Sequence, residues 1–176
     1  MGYSEIWAPW RLAYVQSEAS EETNLSELSF LPGSDEDCFI CQAVADSPEN
    51  DARRYVLYRG SHVLVIMNRY PYNNGHLLVT PRRHVARLDA LSAEEHLELM
   101  EMVTKMTQIL EKTIHPHGFN VGLNLGAVAG AGLPGHLHWH IVPRWNGDTN
   151  FMPVLGSVNV IPQSLEALWE ILKQEL

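Results

Sequence analysis

Histidines alternate with apolar residues in one short stretch, and this alternation constrains the fold more than any other feature of the sequence. Residues Gly135–Pro143 read GHLHWHIVP. Because a β-strand points successive side chains to opposite faces, the pattern predicts a strand that carries His136, His138 and His140 on one face. The apolar residues between them would point into the core. Imidazole is a nucleophile, a proton carrier and a metal ligand, so the row predicts a site of chemistry rather than of packing.

The rest of the chain predicts an α+β fold around that strand. A Ser92–Glu95 capping box opens an apolar stripe of helical spacing that stops before His115, which predicts one long helix. A shorter helix is predicted from Leu165 to the C-terminus, with Ser164 as its N-cap. The other predicted strands are Tyr55–Arg59, His62–Met67, His76–Thr80 and Phe119–Leu125. Short turns between strands predict a mostly antiparallel sheet.

Length and charge limit the classes of function. The 176 residues predict a single domain over 1–176, with an N-terminal strap and polar loop (1–37), a core (38–163) and a C-terminal helix (164–176). The formal net charge of −9 argues against a general binder of nucleic acid or of membrane surfaces. No apolar run reaches the length of a membrane span and the first residues lack the plan of a signal peptide, so we expect a cytoplasmic protein.

Two kinds of chemistry suit the histidine row. Histidines two residues apart on a strand can hold a zinc ion, and a single imidazole can act as a nucleophile. The preceding loop, Gly126–Gly135, is small and nearly uncharged, so its backbone N–H groups can close on an anion, although the same composition suits a flexible connector. No carboxylate lies beside the row in the sequence to complete a metal set. Together these features favour a phosphate or oxyanion site.

The two cysteines of the chain lie close together as Cys38-Phe39-Ile40-Cys41. A separation of this length is poor for a structural disulfide. It suits a redox pair or half of a zinc site instead. The alternative is a reduced thiol pair with no ligand, as is common in cytosolic proteins.

The histidine row resembles the His-φ-His-φ-His-φ-φ signature (φ, apolar) of the histidine triad (HIT) family, whose members hydrolyse or transfer nucleotides. Segment Asn68–Val79 also resembles the Asn-x-x-Pro…Gly-His segment of that family. Further stretches look like the branch that contains bacterial diadenosine polyphosphate hydrolases and phosphorylases: Trp7–Arg11, Asn120–Gly126 and Val142–Arg144. The similarity covers roughly Val56–Pro162 together with the N-terminal strap.

The resemblance implies an enzyme that transfers a nucleotidyl group from a dinucleoside polyphosphate, with diadenosine tetraphosphate as the expected substrate. His138 would attack the α-phosphorus and form a covalent nucleotidyl-imidazole. His140 would contact the phosphate or the leaving-group oxygen, and His136 completes the catalytic row. Inorganic phosphate or water would then release the nucleotide, and the sequence leaves that choice open. The resemblance also implies a homodimer whose sheets join across a two-fold axis, with no organic cofactor.

Substrate contacts are implied in the same way. The residues concerned are Asn68, His76, Asn124, Gly130 and Gly132, with Met67 and Ile66 lining the nucleoside pocket. Asn68 would bond the ribose hydroxyls, and Asn124 would donate its amide to the phosphates. Considered alone, Asn68 and His76 are also typical of turns, and Asn124 of an exposed strand face. Gly132 departs from the family pattern, because many members carry a glutamine at that position, four residues before the first triad histidine.

A zinc site is implied as well. Some members with an N-terminal Cys-x-x-Cys bind a structural zinc ion, and their remaining ligands match two histidines of this chain. The resulting set is Cys38, Cys41, His84 and His136, which is a reasonable tetrahedral Cys₂His₂ centre. On this interpretation His136 is structural and anchors the catalytic strand to the N-terminal segment.

Two rival functions remain open from the sequence. One is a metal-dependent hydrolase in which all three histidines bind one ion. The other is a nucleotide-binding or signalling protein with negligible turnover. Trp145 and Phe151 follow the histidine strand and suit either ordinary packing or contact with a base or a partner subunit.

Overall fold

A computed structural model of the protein describes residues 28–156 and 159–176. The N-terminal strap predicted around Trp7–Arg11 lies outside these residues. Over the described part of the chain, none of the helices combines the length and the apolar character needed to cross a bilayer.

One antiparallel sheet organises the described residues. Its strands are β1 (Val56–Arg59), β2 (Val63–Met67), β3 (Leu77–Pro81), β4 (Gly118–Leu123) and β5 (Trp139–Arg144). They are ordered β1-β2-β3-β5-β4, and each neighbouring pair is antiparallel. The helices are α1 (Phe39–Ala45), α2 (Asp51–Arg54), α3 (Ala93–Ile114), α4 (Met152–Gly156) and α5 (Leu165–Lys173). The predicted α+β class with a mostly antiparallel sheet is therefore confirmed.

Helix α3 begins and ends where its sequence predicts. The Ser92 hydroxyl accepts a hydrogen bond from the Glu95 N–H at 3.2 Å, and the Glu95 carboxylate accepts one from the Ser92 N–H at 2.8 Å. This reciprocal pair satisfies two backbone donors that the helix itself cannot. His115 ends the helix in the left-handed conformation, with φ 48°, and Pro116 follows.

The two faces of the sheet carry different cores. The helix face packs against α3 and α5 and includes Val65, Met67 and Leu77, each 1% exposed or less. On the opposite face, Ile66, Leu78, His140 and Gly122 form one cross-strand row over β2, β3, β5 and β4. We call this second face the site face. Helix α1 covers its β1–β2 end, where Ile66 packs with Cys38 and Cys41.

The histidine strand is shorter than the alternation predicts, because β5 begins only at Trp139. Just before it, the Leu137 N–H donates to the Val85 carbonyl at 2.7 Å, and the Leu137 carbonyl accepts from the Thr80 hydroxyl at 2.8 Å. The Leu137 N–H and carbonyl therefore bond to a loop carbonyl and a side-chain hydroxyl, and not to backbone groups of a neighbouring strand. His136 and His138 therefore lie in an irregular segment, and His140 is the row's one member within β5.

Candidate active site and metal centre

The ring of His138 is held in one tautomer by the backbone. Its Nδ1 lies 2.8 Å from the carbonyl oxygen of His136. A carbonyl can only accept, so Nδ1 carries the proton and Nε2 keeps its lone pair. The residue is buried, with 6% of its surface exposed. This arrangement leaves Nε2 as a nucleophilic nitrogen on a ring that is not free to exchange tautomers.

A second chain of hydrogen bonds sets the proton of His140. The backbone N–H of Tyr72 donates to His76 Nδ1 at 3.1 Å, so the proton of His76 is on Nε2. His76 Nε2 lies 2.9 Å from His140 Nδ1 and therefore donates to it. His140 in turn carries its own proton on Nε2. Among the described residues this Nε2 is buried and has no hydrogen-bond partner.

The imidazole rings of His76 and His140 are both neutral at pH 7. Burial, together with the neighbouring imidazoles of His140 and His138, lowers the pKa of His76 to about 3. Burial and the proximity of His138 lower the pKa of His140 to about 4. A neutral His140 can accept at Nδ1 and donate at Nε2 simultaneously, which a charged imidazole cannot do. The site can thus present the lone pair of His138 Nε2 and the N–H of His140 Nε2 to the same ligand.

The rings of His138 and His140 are neighbours at the site. Their centroids lie 5.0 Å apart with an edge-on arrangement. The Tyr72 ring covers the other side, stacking on His140 at 5.7 Å and tilting against His76 at 4.7 Å. The sequence predicted His76 near the row. It did not identify Tyr72, and the Pro71-Tyr72 turn was the available signal.

His136 points away from this pair and into a cluster of sulfur and nitrogen atoms. Its Nε2 lies 2.8 Å from the Pro81 carbonyl and so carries the proton, which leaves Nδ1 with a lone pair. That Nδ1 lies 3.4 Å from Cys38 Sγ and 3.6 Å from Cys41 Sγ. His84 Nδ1 lies 3.3 Å from Cys41 Sγ. The four predicted ligand residues therefore converge.

The cluster fits a tetrahedral zinc ion. Its four ligand atoms all lie within 4.8 Å of one another. Zn–S and Zn–N bonds in a tetrahedron separate ligand atoms by roughly 3.5 Å, close to the contacts observed. Burial raises the pKa of the Cys38 thiol to about 12, and a metal cation is the group that would favour its thiolate. Gly135 makes room for the set, since a Cβ there would lie 3.1 Å from His84 Nε2.

The predicted nucleoside contacts lie in two different places. Asn68 borders the site, with Nδ2 3.2 Å from His76 Nδ1 and Oδ1 accepting from the Tyr70 N–H at 2.9 Å. Met67 lies on the helix face, 1% exposed, because it is one residue out of phase with Ile66 along β2. Its side chain cannot reach the face that carries His140, so Met67 is left out of the binding set below.

The predicted phosphate contacts lie on the loop between β4 and β5. Asn124 is half-buried, and its Nδ2 lies 3.5 Å from the Gly130 carbonyl. Gly130 adopts φ 90° and ends a one-turn 3₁₀ helix, Ala127–Ala129. Gly132 is exposed, and a side chain there would meet open space. The loop therefore contains one turn of 3₁₀ helix between Asn124 and Gly130.

A cavity of about 520 Å³ opens on the site face beside His140. Tyr72, Asn120 and Asn124 contribute polar and aromatic groups to its wall. Arg144 also lines it, bound by Nε and Nη2 to the Asp148 carboxylate and by Nη1 to Asn120 Oδ1 at 2.8 Å. The hydrogen bonds from Arg144 lower the pKa of Asp148 to about 2. Sequence reasoning did not identify this cavity, because its wall comes from separate segments of the chain.

The two aromatic residues after the strand differ in environment. The Trp145 indole donates to the His115 carbonyl at 3.0 Å and is half-buried, as the packing alternative predicts. Phe151 is 67% exposed.

Comparison with known proteins agrees with this geometry. The profile described as "HIT domain" matches residues 49–147. The chain belongs to the HIT family. The family resemblance carried by the sequence motifs is therefore confirmed.

Two relatives of this HIT chain carry enzyme names. The AP-4-A phosphorylase of Mycobacterium tuberculosis is 39% identical over 171 residues, which cover 97% of this chain and 83% of that relative. The bis(5'-nucleosyl)-tetraphosphatase [asymmetrical] of Schizosaccharomyces pombe is 38% identical over 93 residues, 53% of this chain and 50% of that relative. The expectation of a HIT-family enzyme is thereby confirmed.

Solved structures show the same fold. A Zn-bound histidine triad family protein from Mycobacterium smegmatis superposes with a TM-score of 0.62 at 24% identity, covering 78% of this chain and 91% of that one. A Hit-like protein from Bartonella henselae gives 0.63 at 22% identity, covering 81% and 98%.

Proposed function

We propose that this HIT enzyme transfers a nucleotidyl group from dinucleoside polyphosphates, with diadenosine tetraphosphate as its preferred substrate. The observation that carries the proposal is the tautomer of His138, whose Nδ1–H is bound to the His136 carbonyl at 2.8 Å. Its Nε2 lone pair is thus ready to attack phosphorus. The names of the two relatives described above support the substrate class.

The reaction takes place in two displacements. In the first, His138 Nε2 forms a bond to the α-phosphorus while the bond from that phosphorus to the bridging oxygen breaks. The Nε2–H of His140 donates to the departing oxygen, which stabilises the charge that develops there. In the second, an acceptor oxygen bonds to the same phosphorus and the P–N bond breaks, which restores His138.

His76 acts through His140 and is a positioning residue. Its donation at 2.9 Å to His140 Nδ1 keeps the His140 proton on Nε2, where the leaving group needs it. The Tyr72 N–H holds His76 in the tautomer required for this. Asn68, Asn124 and the backbone around Gly130–Gly132 are proposed to bind the ribose and phosphates. Asn68 is supported by its position beside His76.

The metal-dependent rival is not favoured by the geometry. His136 aims its lone pair at two sulfur atoms, whereas His138 uses Nδ1 to bond a carbonyl. Rings that diverge in this way do not offer three nitrogens to one ion. We instead propose that Cys38, Cys41, His84 and His136 hold a structural zinc ion, which supplies stability and takes no part in the displacement.

Replacing His138 tests the covalent step. His138→Ala and His138→Gly should lower turnover of diadenosine tetraphosphate by at least about 10³-fold, because the nucleophile is lost. Binding of the dinucleotide, measured by calorimetry, should remain detectable. Mass spectrometry of quenched wild-type reactions should find a nucleotidyl adduct that is absent from both variants. A variant that keeps most of its activity would refute the assignment.

Separation of the products identifies the acceptor. Diadenosine tetraphosphate is incubated with and without inorganic phosphate. ADP and ATP that form only with phosphate indicate phosphorolysis, which the Mycobacterium tuberculosis relative's name favours. AMP and ATP formed without phosphate indicate hydrolysis.

A further inference from the structure

The cavity of about 520 Å³ extends beyond His140 and Asn124, the two wall residues that the proposed reaction uses. It lies on the site face between β5 and β4, where Gly122 stands directly across from His140 in the register. Because Gly122 has no side chain, the space above this pair is open, and a Cβ added there would meet nothing within 4 Å. The cavity has the size of a ligand site, since small-molecule pockets span about 300–1,000 Å³.

Its position suits the leaving half of the substrate. His140 lines the cavity, while His138 lies beside His140, with ring centroids 5.0 Å apart. In phosphoryl transfer the attacking and leaving groups are roughly in line across the phosphorus. The proposed donation from His140 Nε2–H would place the leaving oxygen beside His140, and His140 lines the cavity.

The lining favours a nucleoside over a bare anion. Arg144, the cationic side chain of its described wall, is paired through two nitrogens with the Asp148 carboxylate, which leaves little net positive charge. Amides such as that of Asn120 offer donors and acceptors, and Val142 supplies apolar surface. Tyr72 is 58% exposed and stacks one ring face on His140, so its ring is available to a base.

We propose that this cavity binds the nucleoside of the leaving nucleotide, so that the enzyme recognises both ends of a dinucleoside polyphosphate. The inference rests on the proposed function and deepens it. It predicts a preference that depends on the second nucleoside. Diadenosine tetraphosphate and adenosine 5'-tetraphosphate have the same number of phosphates, and adenosine 5'-tetraphosphate lacks that nucleoside.

The test fills the cavity without changing the catalytic residues. Gly122→Leu places a side chain in the open space opposite His140, and Asn120→Ala removes an amide from the cavity wall. Gly118→Leu is the matched control, because Gly118 is on the same strand, also faces open space and does not line the cavity. Both cavity variants should lower kcat/KM for diadenosine tetraphosphate about tenfold and change it less than about twofold for adenosine 5'-tetraphosphate.

Two results would overturn the inference. One is a wild-type enzyme that uses both substrates equally well. The other is an equal loss on both substrates in the cavity variants. If wild-type protein turns over neither substrate, the proposed function fails, and calorimetry still tests the subsite. Wild type and Gly118→Leu should then bind the dinucleotide more tightly than adenosine 5'-tetraphosphate, and Gly122→Leu should lose that difference.

Discussion

At the scale of single residues, the three histidines differ because each ring is bound to a different partner. His136 donates to the Pro81 carbonyl, His138 donates to the His136 carbonyl, and His140 accepts from His76. Each bond decides which nitrogen keeps a lone pair. The alternation in the sequence predicted a row of histidines, and the partners suit them to the proposed roles of metal ligand, nucleophile and hydrogen-bond donor.

The neutral state of His76 predicts a pH dependence of stability. Its pKa is lowered by burial to about 3 in the folded protein, whereas an unfolded histidine titrates near 6.5. Between these values the unfolded chain binds a proton that the folded chain does not, so the free energy of unfolding falls as the pH falls. The contribution of His76 to this decrease in the free energy of unfolding should approach about 1.4 kcal/mol per pH unit below roughly pH 6.

Urea titrations of wild type and His76→Gln at pH 7.5, 6 and 5 measure this dependence. Glutamine does not titrate in this range. Between pH 6 and 5 the slope of the free energy of unfolding against pH should therefore be smaller in the variant by the equivalent of about one bound proton. His62→Gln is a suitable control, since His62 is an exposed histidine. Equal slopes in wild type and His76→Gln would contradict the assigned cause.

At the scale of elements, the turn before β3 is tightly packed. Gly75 adopts φ 74°, and a Cβ there would lie 2.7 Å from Ile114 Cδ1. Gly147 adopts φ 73° with nothing within 4 Å. The Gly147→Ala variant therefore measures backbone strain alone. Gly75→Ala adds a steric conflict with Ile114 at the residue that precedes His76.

Gly75→Ala should destabilise the fold by about 1–3 kcal/mol more than Gly147→Ala, as overpacking does elsewhere. Chemical denaturation of the two variants gives the difference directly. Activity should also fall in Gly75→Ala, because His76 follows the displaced residue. If the two variants lose the same stability, Ile114 yields easily and the packing argument is wrong.

The proposed zinc ligands connect α1 to the segment that carries His138. Purified without added metal, the protein should hold about one zinc ion per chain, and Cys41→Ser should lose it together with roughly 3 kcal/mol or more of stability. The ring of His136 and the carbonyl that orients His138 belong to one residue. Turnover should fall in parallel for that reason.

Elemental analysis and thermal denaturation with and without a chelator measure both effects. His96→Ala is the control, because His96 is an exposed histidine outside the cluster. This variant should retain zinc, and the chelator should change its melting temperature by the same amount as that of wild type. Less than about 0.2 zinc per chain in wild type would contradict the proposal.

At the scale of the whole molecule, β4 forms one edge of the sheet. An exposed edge strand offers backbone groups for pairing with another chain, and Val121 on it is 46% exposed. We propose that two copies pair along β4 and extend the sheet across a two-fold axis. The expected mass in solution is then twice the 19.9 kDa of one chain.

Sedimentation or light scattering measures this mass. Val121→Lys should give a monomer, because like charges would meet at the two-fold pairing. Leu97→Lys is the control, since Leu97 is 61% exposed near the start of helix α3 and not on β4. A monomeric wild type, or a Val121→Lys variant that stays dimeric, would exclude pairing along this strand.

Much of the fold was predictable because its signals are local. The capping box of α3, the helical stripe after it and the alternation of the strands depend on residues a few positions apart. The convergence of Cys38, Cys41, His84 and His136 was also predicted, through resemblance to family motifs rather than from spacing alone. The start of β5 was predicted too early, because Val85 and Thr80 take the hydrogen bonds of Leu137.

The sequence by itself determined that the chain has an α+β fold, a histidine row beside a small uncharged loop, and the motifs of the HIT family. Only the tertiary structure decided which nitrogen of each histidine is free, that Met67 lies on the helix face, and that a cavity opens beside His140. The physical reason is distance along the chain. Periodicity reports neighbours in sequence, whereas tautomers, strand register and cavity walls depend on groups that meet only after folding.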